Sequence, residues 1–255
     1  MKRQVLKNCF TERWIAHRGF YNEKIAENSL RAFRHAVDCG YYMELDVQLS
    51  KDGKVVVFHD DFMDRMVCGK RGETMPLKDY TYDELQKFVL SGHDQDRVPL
   101  FEDVLAYTES STVIVEIKNR TLTEQAGELE QKTLEILKKY HGNFAVQSFN
   151  PFAVDFFTKH APEFTRGLLI NRERFDQYPT DEMAALVKMM IGDTEKRIDF
   201  IDCATDECEC EISSSRDPRL GLISYTVISQ EIMDKLEPLT DNLIFEGFIP
   251  REKQR

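Results

Sequence analysis

The sequence lacks an apolar run long enough to cross a bilayer, which takes about 18 to 20 consecutive residues. Residues 1–14 also lack the continuous apolar stretch of a secretion signal. Positive charge is in deficit, because 34 Lys and Arg face 45 Asp and Glu and leave a formal net charge of −11. A field of that sign repels nucleic-acid phosphates. We therefore expect a cytoplasmic protein with no membrane span and no nucleic-acid partner, whose local cations serve a small-molecule substrate.

The sequence also lacks the pattern of a disulfide framework or of a zinc site. Its six cysteines occur without a secretion signal, which favours thiols over disulfide bonds. Cys208 and Cys210 stand two positions apart, but no second Cys or His pair lies at zinc-ligand spacing. A soft-metal or redox pair is the functional interpretation of these two thiols, and a polar loop is the simpler one. We expect the acidic stretch 202–211 to be a solvated loop.

The sequence does contain a repeated alternation of short β-branched runs with longer amphipathic stretches. This alternation is typical of βα units around a parallel sheet. With 255 residues, of which 42% are hydrophobic, the chain can bury one large core. We predict an α/β fold, a single-domain (β/α)8 TIM barrel over residues 1–255. Eight runs qualify as its strands: 13–16, 42–47, 112–117, 143–147, 165–169, 198–202, 220–225 and 242–246.

The second predicted strand continues into a hairpin and a long connection. Gly53 marks a tight turn, so residues 55–58 should return as an antiparallel arm. That arm brings His59 beside the carboxylates of the second strand. Residues 61–100 are longer than a usual connection between barrel elements. We interpret them as a lid-like insertion after strand 2.

Two helices are predicted from caps and periodicity. Asn28 or Ser29 can cap a helix that follows the first strand, because both side chains accept hydrogen bonds from backbone amides. Gly40 then ends that helix. The clearest helical periodicity covers residues 123–139.

Carboxylates cluster at the predicted ends of two strands. Residues two apart on a strand point to one face, so Glu44 and Asp46 aim together, and so do Glu116 and Lys118. Three converging carboxylates suit a hard cation such as Mg²⁺ or Ca²⁺, which can neutralise a phosphoryl oxygen. Barrel enzymes place their chemistry at the C-terminal ends of the strands. The pattern predicts a divalent-cation site at the barrel mouth.

Two histidines and two cations complete this pattern. His17 and Arg18 follow the first predicted strand, and His59 follows the hairpin arm. Histidine is the usual side chain for moving protons near neutral pH. Arg18 and Lys118 add fixed positive charge for an anionic substrate. Together with the carboxylates, these residues indicate a site that cuts phosphodiesters.

The order and local context of these residues resemble the glycerophosphodiester phosphodiesterase family. The resemblance implies an enzyme that hydrolyses glycerophosphodiesters to glycerol 3-phosphate and an alcohol. It also implies a divalent cation, Mg²⁺ or Ca²⁺, as cofactor. The matching segments span nearly the whole chain: IAHRGF (15–20), AENSLRAF (26–33), MELDVQLSKDGKVVVFHDD (43–61), RVPLFEDVL (97–105), VEIKNR (115–120), VQSFNP (146–151) and LISYTV (222–227).

The resemblance implies a role for each matching residue. It leaves open which histidine is the acid and which the base, and whether a glycerol hydroxyl or water attacks first. Gln147 is a candidate for hydrogen bonding to substrate, with packing as the alternative. Glu27 is a candidate to reach the site. The implied roles are metal ligation by Glu44, Asp46 and Glu116, proton transfer by His17 and His59, and phosphate binding by Arg18 and Lys118.

Two positions near the end of the chain depart from the family pattern. The family commonly has Trp-Thr-Val where this chain has Tyr225-Thr226-Val227, so Tyr225 keeps an aromatic wall for substrate but adds a hydroxyl. Glu246 stands where an Asp is more usual, and its role stays open. Neither departure touches the predicted metal ligands or histidines. Hydrolysis is therefore better supported than any choice of head group.

Other functions remain open from the sequence. One is a phosphodiesterase or lyase that acts on another lysophospholipid-type diester and releases a cyclic phosphate. Another is a catalytically silent barrel that binds a phosphate ester. The simplest alternatives make the strand acids a solvent-facing edge and the pair Glu116 and Lys118 a surface ion pair. An interaction scaffold would show exposed apolar surface and no convergence of these residues. The oligomeric state is not predicted.

Overall fold

A computed structural model describes residues 6–91, 95–108, 110–118, 126–171, 181–192, 198–206, 208 and 217–253. Within these ranges the chain forms a sheet of nine strands. The strands are β1 (Ile15–Ala16), β2 (Tyr42–Leu49), β3 (Val55–Val57), β4 (Thr112–Ile117), β5 (Asn143–Ser148), β6 (Thr165–Ile170), β7 (Phe200–Ala204), β8 (Gly221–Val227) and β9 (Asn242–Phe245).

Seven α-helices lie in the described ranges, with 3-10 turns at Asn8–Phe10 and Leu77–Asp79. None of these helices combines the length and the apolar character that crossing a membrane requires. The helices are α1 (Leu30–Asp38), α2 (Tyr82–Leu85), α3 (Phe101–Thr108), α4 (Glu128–Leu137), α5 (Pro151–His160), α6 (Asp181–Ile191) and α7 (Gln230–Leu236).

Eight of the strands close into a parallel barrel. The order is β1-β9-β8-β7-β6-β5-β4-β2, and β1 pairs in parallel with both β2 and β9. The helices surround this barrel, which confirms the predicted (β/α)8 TIM-barrel fold. Since all barrel strands run the same way, their C-terminal ends meet at one mouth.

The ninth strand forms the predicted hairpin. β3 pairs antiparallel with β2, with Val47 opposite Val57. Gly53 has φ +71°, a left-handed conformation that favours glycine, and it turns the chain between the two strands. Because β2 extends past the other barrel strands, this arm brings residues 58–60 back over the mouth.

Strand alternation divides the barrel interior into an apolar and a polar layer. Side chains two apart share a face, so Glu44 follows Tyr42 inward and Glu116 follows Ile114 inward. In the same way Asp202 lies above Phe200 on the inner face. The apolar layer is a buried cluster drawn from seven strands: Ile15, Tyr42, Ile114, Ala145, Phe200, Ile223 and Ile244.

The helix caps follow the predicted pattern only in part. Ser29 caps α1 by accepting a hydrogen bond from the Ala32 amide at 3.2 Å. Gly40, at φ +75°, follows the end of that helix as predicted. The helix predicted over 123–139 is α4, bounded by Glu128 and Leu137, and residues 119–125 lie outside the described ranges.

The connection after β3 has an apolar core of its own. Eleven side chains form this buried cluster, and they include three methionines. We call the segment 61–100 the insertion. Three members of the cluster, residues 26, 56 and 58, lie outside the insertion. The other eight belong to it: Met63, Met66, Val67, Met75, Leu77, Leu85, Leu90 and Val98.

The prediction that 202–211 is a solvated loop is wrong at its start. Asp202 lies within β7, pairs in register with Leu169 and Ile223, and is fully buried. The predicted strand ended at residue 202, whereas β7 ends at Ala204, so residues 202–204 of the predicted loop belong to the strand. Residues 207 and 209–216, with Cys210, lie outside the described ranges.

Candidate active site

Three carboxylates converge at the barrel mouth. Glu44 and Asp46 come from β2, and Glu116 comes from β4, where it pairs in register with Asp46. One ligand oxygen of each lies within 4.8 Å of the others. All three residues are buried, at 2%, 0% and 8% exposure. Glu44 Oε1 and Asp46 Oδ1 have no hydrogen-bond partner among the described residues, so they are available to a cation.

Two cationic side chains approach these carboxylates. Lys118 Nζ lies 2.9 Å from Glu116 Oε1 and 3.6 Å from Asp46 Oδ1. Arg18 Nε lies 3.5 Å from Asp46 Oδ2, and the Arg18 amide donates to Glu44 Oε2 at 3.0 Å. The alternative that made Glu116 and Lys118 a surface ion pair does not hold, because both belong to this buried cluster.

The carboxylates differ in their electrostatic surroundings. Burial raises the pKa of Glu44 well above 4.5, and the negative charges of Asp46 and Glu116 add to the rise. Burial also acts on Asp46, but Lys118, His59 and Arg18 together lower the pKa of Asp46 below its usual value. The site thus holds more negative charge than its own cations stabilise.

His17 is held by a carboxylate from the last strand. Its Nδ1 lies 2.6 Å from Glu246 Oε2, and its Nε2 lies 3.9 Å from Glu44 Oε2. The Tyr21 hydroxyl donates to the same Glu246 oxygen at 2.7 Å. The hydrogen bond from His17 lowers the pKa of Glu246 to about 2. Because an ionised carboxylate only accepts, the His17 proton sits on Nδ1 and Nε2 faces the cluster.

His59 has a corresponding arrangement. Its Nδ1 lies 2.6 Å from Asp60 Oδ1, and Arg65 Nε donates to Asp60 Oδ2 at 2.5 Å. Burial opposes ionisation of Asp60, but the bonds from His59 and Arg65 lower the pKa of Asp60 overall. As predicted, the hairpin arm brings His59 to the carboxylates, because the Phe58 amide donates to the Asp46 carbonyl at 2.9 Å and His59 lines the same cavity as Glu116.

Two polar side chains that sequence reasoning did not assign to the site support it. Gln48 Nε2 donates to the carbonyls of residues 58, 59 and 60 at 3.0, 2.9 and 3.0 Å. Asn28, considered as a helix cap, instead donates from Nδ2 to Asp46 Oδ2 at 2.8 Å. The period-two spacing of Gln48 from Asp46 was the available signal, because it puts both side chains on one face.

A second ion-pair network joins the insertion to the mouth. Glu27 Oε1 accepts from Arg18 Nη1 at 2.7 Å and from Arg65 Nη2 at 2.6 Å. These bonds offset the effect of burial and lower the pKa of Glu27. Since Arg65 also binds Asp60, one insertion side chain contacts both the His59 side and the Arg18 side of the site.

Gln147 and Asp202 extend the polar layer away from the carboxylates. Gln147 is in register with Glu116 and is 2% exposed. Neither Asp202 carboxylate oxygen has a hydrogen bond of good geometry among the described residues. Burial raises the pKa of Asp202 well above its usual value, which favours the neutral acid.

An open cavity of about 400 Å³ lies over this cluster. Its lining includes His59, Glu116, Lys118 and Phe149. Tyr225 packs edge-on against Phe149, with ring centres 6.1 Å apart, and its hydroxyl donates to the Ile170 carbonyl at 3.2 Å. Tyr225 therefore supports the cavity wall through Phe149, and its added hydroxyl binds the backbone.

The fold and the site define a class of protein: a (β/α)8 barrel with a buried acidic cluster and two carboxylate-bound histidines at its mouth. The family model described as the glycerophosphoryl diester phosphodiesterase family matches residues 17–240. The chain belongs to this family, as the sequence motifs predict.

Several known proteins are similar to the chain. A glycerophosphodiester phosphodiesterase of Caldanaerobacter subterraneus subsp. tengcongensis is 31% identical over 163 residues, which cover 61% of this chain and 65% of that protein, just under two thirds. The crystal structure of a glycerophosphodiester phosphodiesterase from Thermotoga maritima has a TM-score of 0.69 at 27% identity, covering 91% of this chain and 92% of its own. An Oleispira antarctica phosphodiesterase, solved with the product sn-glycerol-3-phosphate, has a TM-score of 0.71 at 21% identity and 93% coverage of both chains.

The three hydrogen bonds of Gln48 predict a measurable loss of stability when its amide is removed. Gln48→Met keeps the shape but leaves three carbonyls without this donor, so we expect the free energy of unfolding to fall by about 1–3 kcal/mol in urea titrations. Gln131→Met is the matched control, because the Gln131 amide donates only at the surface, to Glu135. Equal stability of the Gln48 and Gln131 variants would contradict the assignment.

Proposed function

We propose that this chain hydrolyses glycerophosphodiesters to glycerol 3-phosphate and an alcohol, with a divalent cation and with His17 and His59 as the general acid and base. The observation that carries this proposal is the convergence of three buried carboxylates with two carboxylate-bound histidines at one barrel mouth. Family membership and the similarity to named phosphodiesterases support it.

Charge balance supports the cation. Three cationic side chains face six carboxylates around the mouth, so negative charge is in excess. The cations are Arg18, Arg65 and Lys118, and the carboxylates are Glu27, Glu44, Asp46, Asp60, Glu116 and Glu246. A divalent cation would offset part of this excess.

The donor set also fits such a cation. Glu44, Asp46 and Glu116 offer carboxylate oxygens only, which suits Mg²⁺ or Ca²⁺ better than a soft metal. The buried oxygens Glu44 Oε1 and Asp46 Oδ1 have no hydrogen-bond partner among the described residues. When bound, the cation would neutralise negative charge on the phosphoryl group. Arg18 and Lys118 would hold the phosphate beside it by charge-assisted hydrogen bonds.

The two histidines provide proton transfer on both sides of the phosphorus. Each ring keeps its hydrogen on Nδ1 against a carboxylate and presents Nε2 for exchange with substrate. One Nε2 removes a proton from the attacking hydroxyl or water, and the other, protonated, supplies a proton to the leaving alkoxide. Gln147 would hydrogen-bond substrate from the polar layer, and Tyr225 would shape the alcohol side through Phe149.

A phosphate-ester-binding barrel without catalysis is disfavoured by the orientation of both rings. Binding alone would need the cations but not two imidazoles with Nδ1 fixed by carboxylates. A lyase that releases a cyclic phosphate would use the same residues. Product analysis separates that reaction from hydrolysis, because only hydrolysis yields glycerol 3-phosphate.

Removing either ring should strongly lower turnover while the fold is kept. We expect His17→Ala and His59→Ala to lower kcat on sn-glycero-3-phosphocholine with Mg²⁺ or Ca²⁺ by about 10²–10⁴-fold, because each removes one proton-transfer group. The measurement is enzymatic detection of glycerol 3-phosphate, with melting curves to check folding. His141→Ala, an exposed histidine, is the control. Full turnover in either active-site variant would refute the assignment.

The metal proposal predicts opposite effects of Glu44→Gln with and without cation. In chelator, we expect a higher Tm than in the wild type, because one of three repelling carboxylates is neutralised. In the folded protein the pKa of Glu44 lies above 4.5, the ordinary value of an unfolded glutamate. Protonated Glu44 therefore stabilises the fold below pH 4.5, and this stabilisation is lost as the pH rises through the raised pKa of Glu44. Glu44→Gln should remove this loss.

With Mg²⁺ or Ca²⁺ added, the wild type should gain more Tm than Glu44→Gln, because the ion binds only the folded site. Glu163→Gln changes an exposed acid and controls for net charge. A wild-type Tm that does not respond to either ion, together with turnover in chelator, would remove the cation from the proposal.

Glu246 should act through His17 rather than on substrate. In Glu246→Gln the amide can donate to Nδ1, which moves the ring hydrogen to Nε2, so we expect kcat to fall by about 10²-fold or more with little change in KM. Glu246→Asp keeps an acceptor and should retain more activity. ¹⁵N NMR of the His17 ring reports the tautomer directly. Glu252→Gln, an exposed acid in the same segment, is the control, and an unchanged tautomer in Glu246→Gln would contradict this role.

A further inference from the structure

The polar layer of the barrel contains an acid that has no role in the proposed mechanism. Each residue of the apolar layer is followed two positions later by a residue of the polar layer, because alternate residues of a strand face the same side. Asp202 follows Phe200 in this way, and Gln147 follows Ala145. The layer includes two proposed metal ligands and a proton-transfer histidine, and its members are His17, Glu44, Glu116, Gln147, Asp202, Tyr225 and Glu246.

Asp202 is completely enclosed by the protein. Its exposure is 0%, and neither of its carboxylate oxygens has a hydrogen-bond partner among the described residues. Such a state is rare for buried polar atoms, because they have lost water and gained nothing in its place. Burial raises the pKa of Asp202 well above its ordinary value. The side chain is therefore a neutral acid that has one hydrogen to donate.

Gln147 is the neighbour of Asp202 in the polar layer. Between them, β6 carries Gly167, which pairs in register with Gln147 on one side and with Phe200 on the other. A Cβ atom at Gly167 would lie 2.2 Å from the Phe200 ring, so this ring packs directly on the glycine. Because Gly167 has no side chain, the Gln147 and Asp202 side chains can approach each other across β6.

The two side chains are complementary in their hydrogen bonding. Gln147 is 2% exposed, and its Oε1 is also a buried oxygen without a partner among the described residues. The Gln147 amide lies close enough to oppose the rise that burial causes in the pKa of Asp202. A carboxylic acid donates its O–H to an amide oxygen, while one amide N–H donates to the acid carbonyl. This pair would satisfy the buried oxygens and leave the second amide N–H for another partner.

The other polar neighbours of Asp202 bond elsewhere or disfavour its ionisation. Tyr225 is the next member of the layer, on β8, and its hydroxyl donates to the Ile170 carbonyl at 3.2 Å. Negative charge on Glu116 or Cys208 adds to the rise that burial causes in the pKa of Asp202. The surroundings therefore favour the neutral acid, and Gln147 is the partner that suits it.

We propose that Asp202 is a positioning residue, which pairs as a carboxylic acid with the Gln147 amide and directs the remaining N–H of Gln147 to the substrate. This inference rests on the proposed function, in which Gln147 hydrogen-bonds substrate. Asp202 itself is fully buried and does not reach the cavity. Its replacement should therefore affect the reaction only through Gln147.

A double-mutant cycle tests this dependence. Asp202→Leu should lower kcat/KM on sn-glycero-3-phosphocholine by about fivefold, which corresponds to one neutral hydrogen bond. In a Gln147→Met background, the same change should lower kcat/KM by less than about twofold, because the amide that Asp202 positions is already absent. A residue that only supported the fold would lower activity equally in both backgrounds. That result, or wild-type activity in Gln147→Met, would refute the positioning role.

Two further variants make the cycle specific. Asp202→Asn keeps a neutral group that donates and accepts, so we expect at least about half of the wild-type kcat/KM. A loss as large as in Asp202→Leu would contradict the proposal. Ser224→Ala is the matched control, because Ser224 is also fully buried and its hydroxyl donates to the Cys203 carbonyl. Its effect on kcat/KM should be the same with and without the Gln147 amide.

Infrared spectra report the protonation of Asp202 without an activity assay. In protein labelled with ¹³C at its aspartate carboxyl groups, we expect the C=O stretch of a protonated carboxyl at neutral pH. Asp202→Asn should lack this band. The aspartate label excludes Glu44, whose pKa is also raised by burial. A wild type without the band would overturn the proposal whatever the kinetics show.

The outcomes separate this inference from the proposed function. If the wild type hydrolyses the substrate but the cycle is additive, the role of Asp202 is overturned and the proposed function stands. If no glycerophosphodiester is hydrolysed, the proposed function fails. Calorimetric binding of glycerol 3-phosphate to the wild type, the two single variants and the double variant then replaces kcat/KM in the cycle. Equal affinity of the wild type and Asp202→Leu, or no binding by either, would overturn the role of Asp202.

Discussion

The buried repulsion among three carboxylates at the barrel mouth is the interaction on which the rest of this structure depends. Taking ionised groups out of water is costly unless opposite charge and hydrogen bonds compensate them. Arg18, Lys118 and Asn28 supply part of that compensation directly. What remains is a local excess of negative charge, which a bound divalent cation would offset.

The backbone around Arg18 is strained to serve this cluster. Arg18 and Asn28 both have φ of 54°, a left-handed conformation that costs a non-glycine residue about 1–3 kcal/mol. The backbone amide of Asn28 donates to the Arg18 carbonyl at 2.9 Å, so the two residues hold each other in place. This conformation turns the Arg18 amide to Glu44 and the Asn28 side chain to Asp46, so the strain is repaid at the carboxylates.

Periodicity and order predicted the barrel and the convergence of the carboxylates, because strand alternation determines which side chains face the barrel interior. The pairing of Asp46 with Glu116 is an example, since two period-two patterns on adjacent strands must share a face. Contacts between residues far apart in sequence were not predictable in this way. The hydrogen bond between His17 and Glu246 joins residues 229 positions apart and depends on barrel closure. The sequence therefore showed Glu246 only as a difference from the family pattern and did not predict its contact with His17.

Side-chain choice between two plausible partners was also beyond the sequence. The Asn28 side chain could cap a helix, but Ser29 occupies the capping position. The side-chain amide of Asn28 therefore binds Asp46 instead. Asp202 looked like part of an acidic loop because its neighbours are acidic. Its burial follows from where β7 ends, and strand boundaries are the least certain part of a sequence pattern.

The insertion completes the site because of one side chain. Arg65 is 45% exposed, yet its guanidinium bonds Asp60 beside His59 and Glu27 beside Arg18. Its neighbour Met66 belongs to the buried core of the insertion, so the position of that core sets the position of Arg65. A shift of the insertion would therefore disturb both Asp60, which binds His59, and Glu27, which binds Arg18. The apolar core between residues 61 and 100 thus orients charged groups that the barrel alone would leave without a fixed geometry.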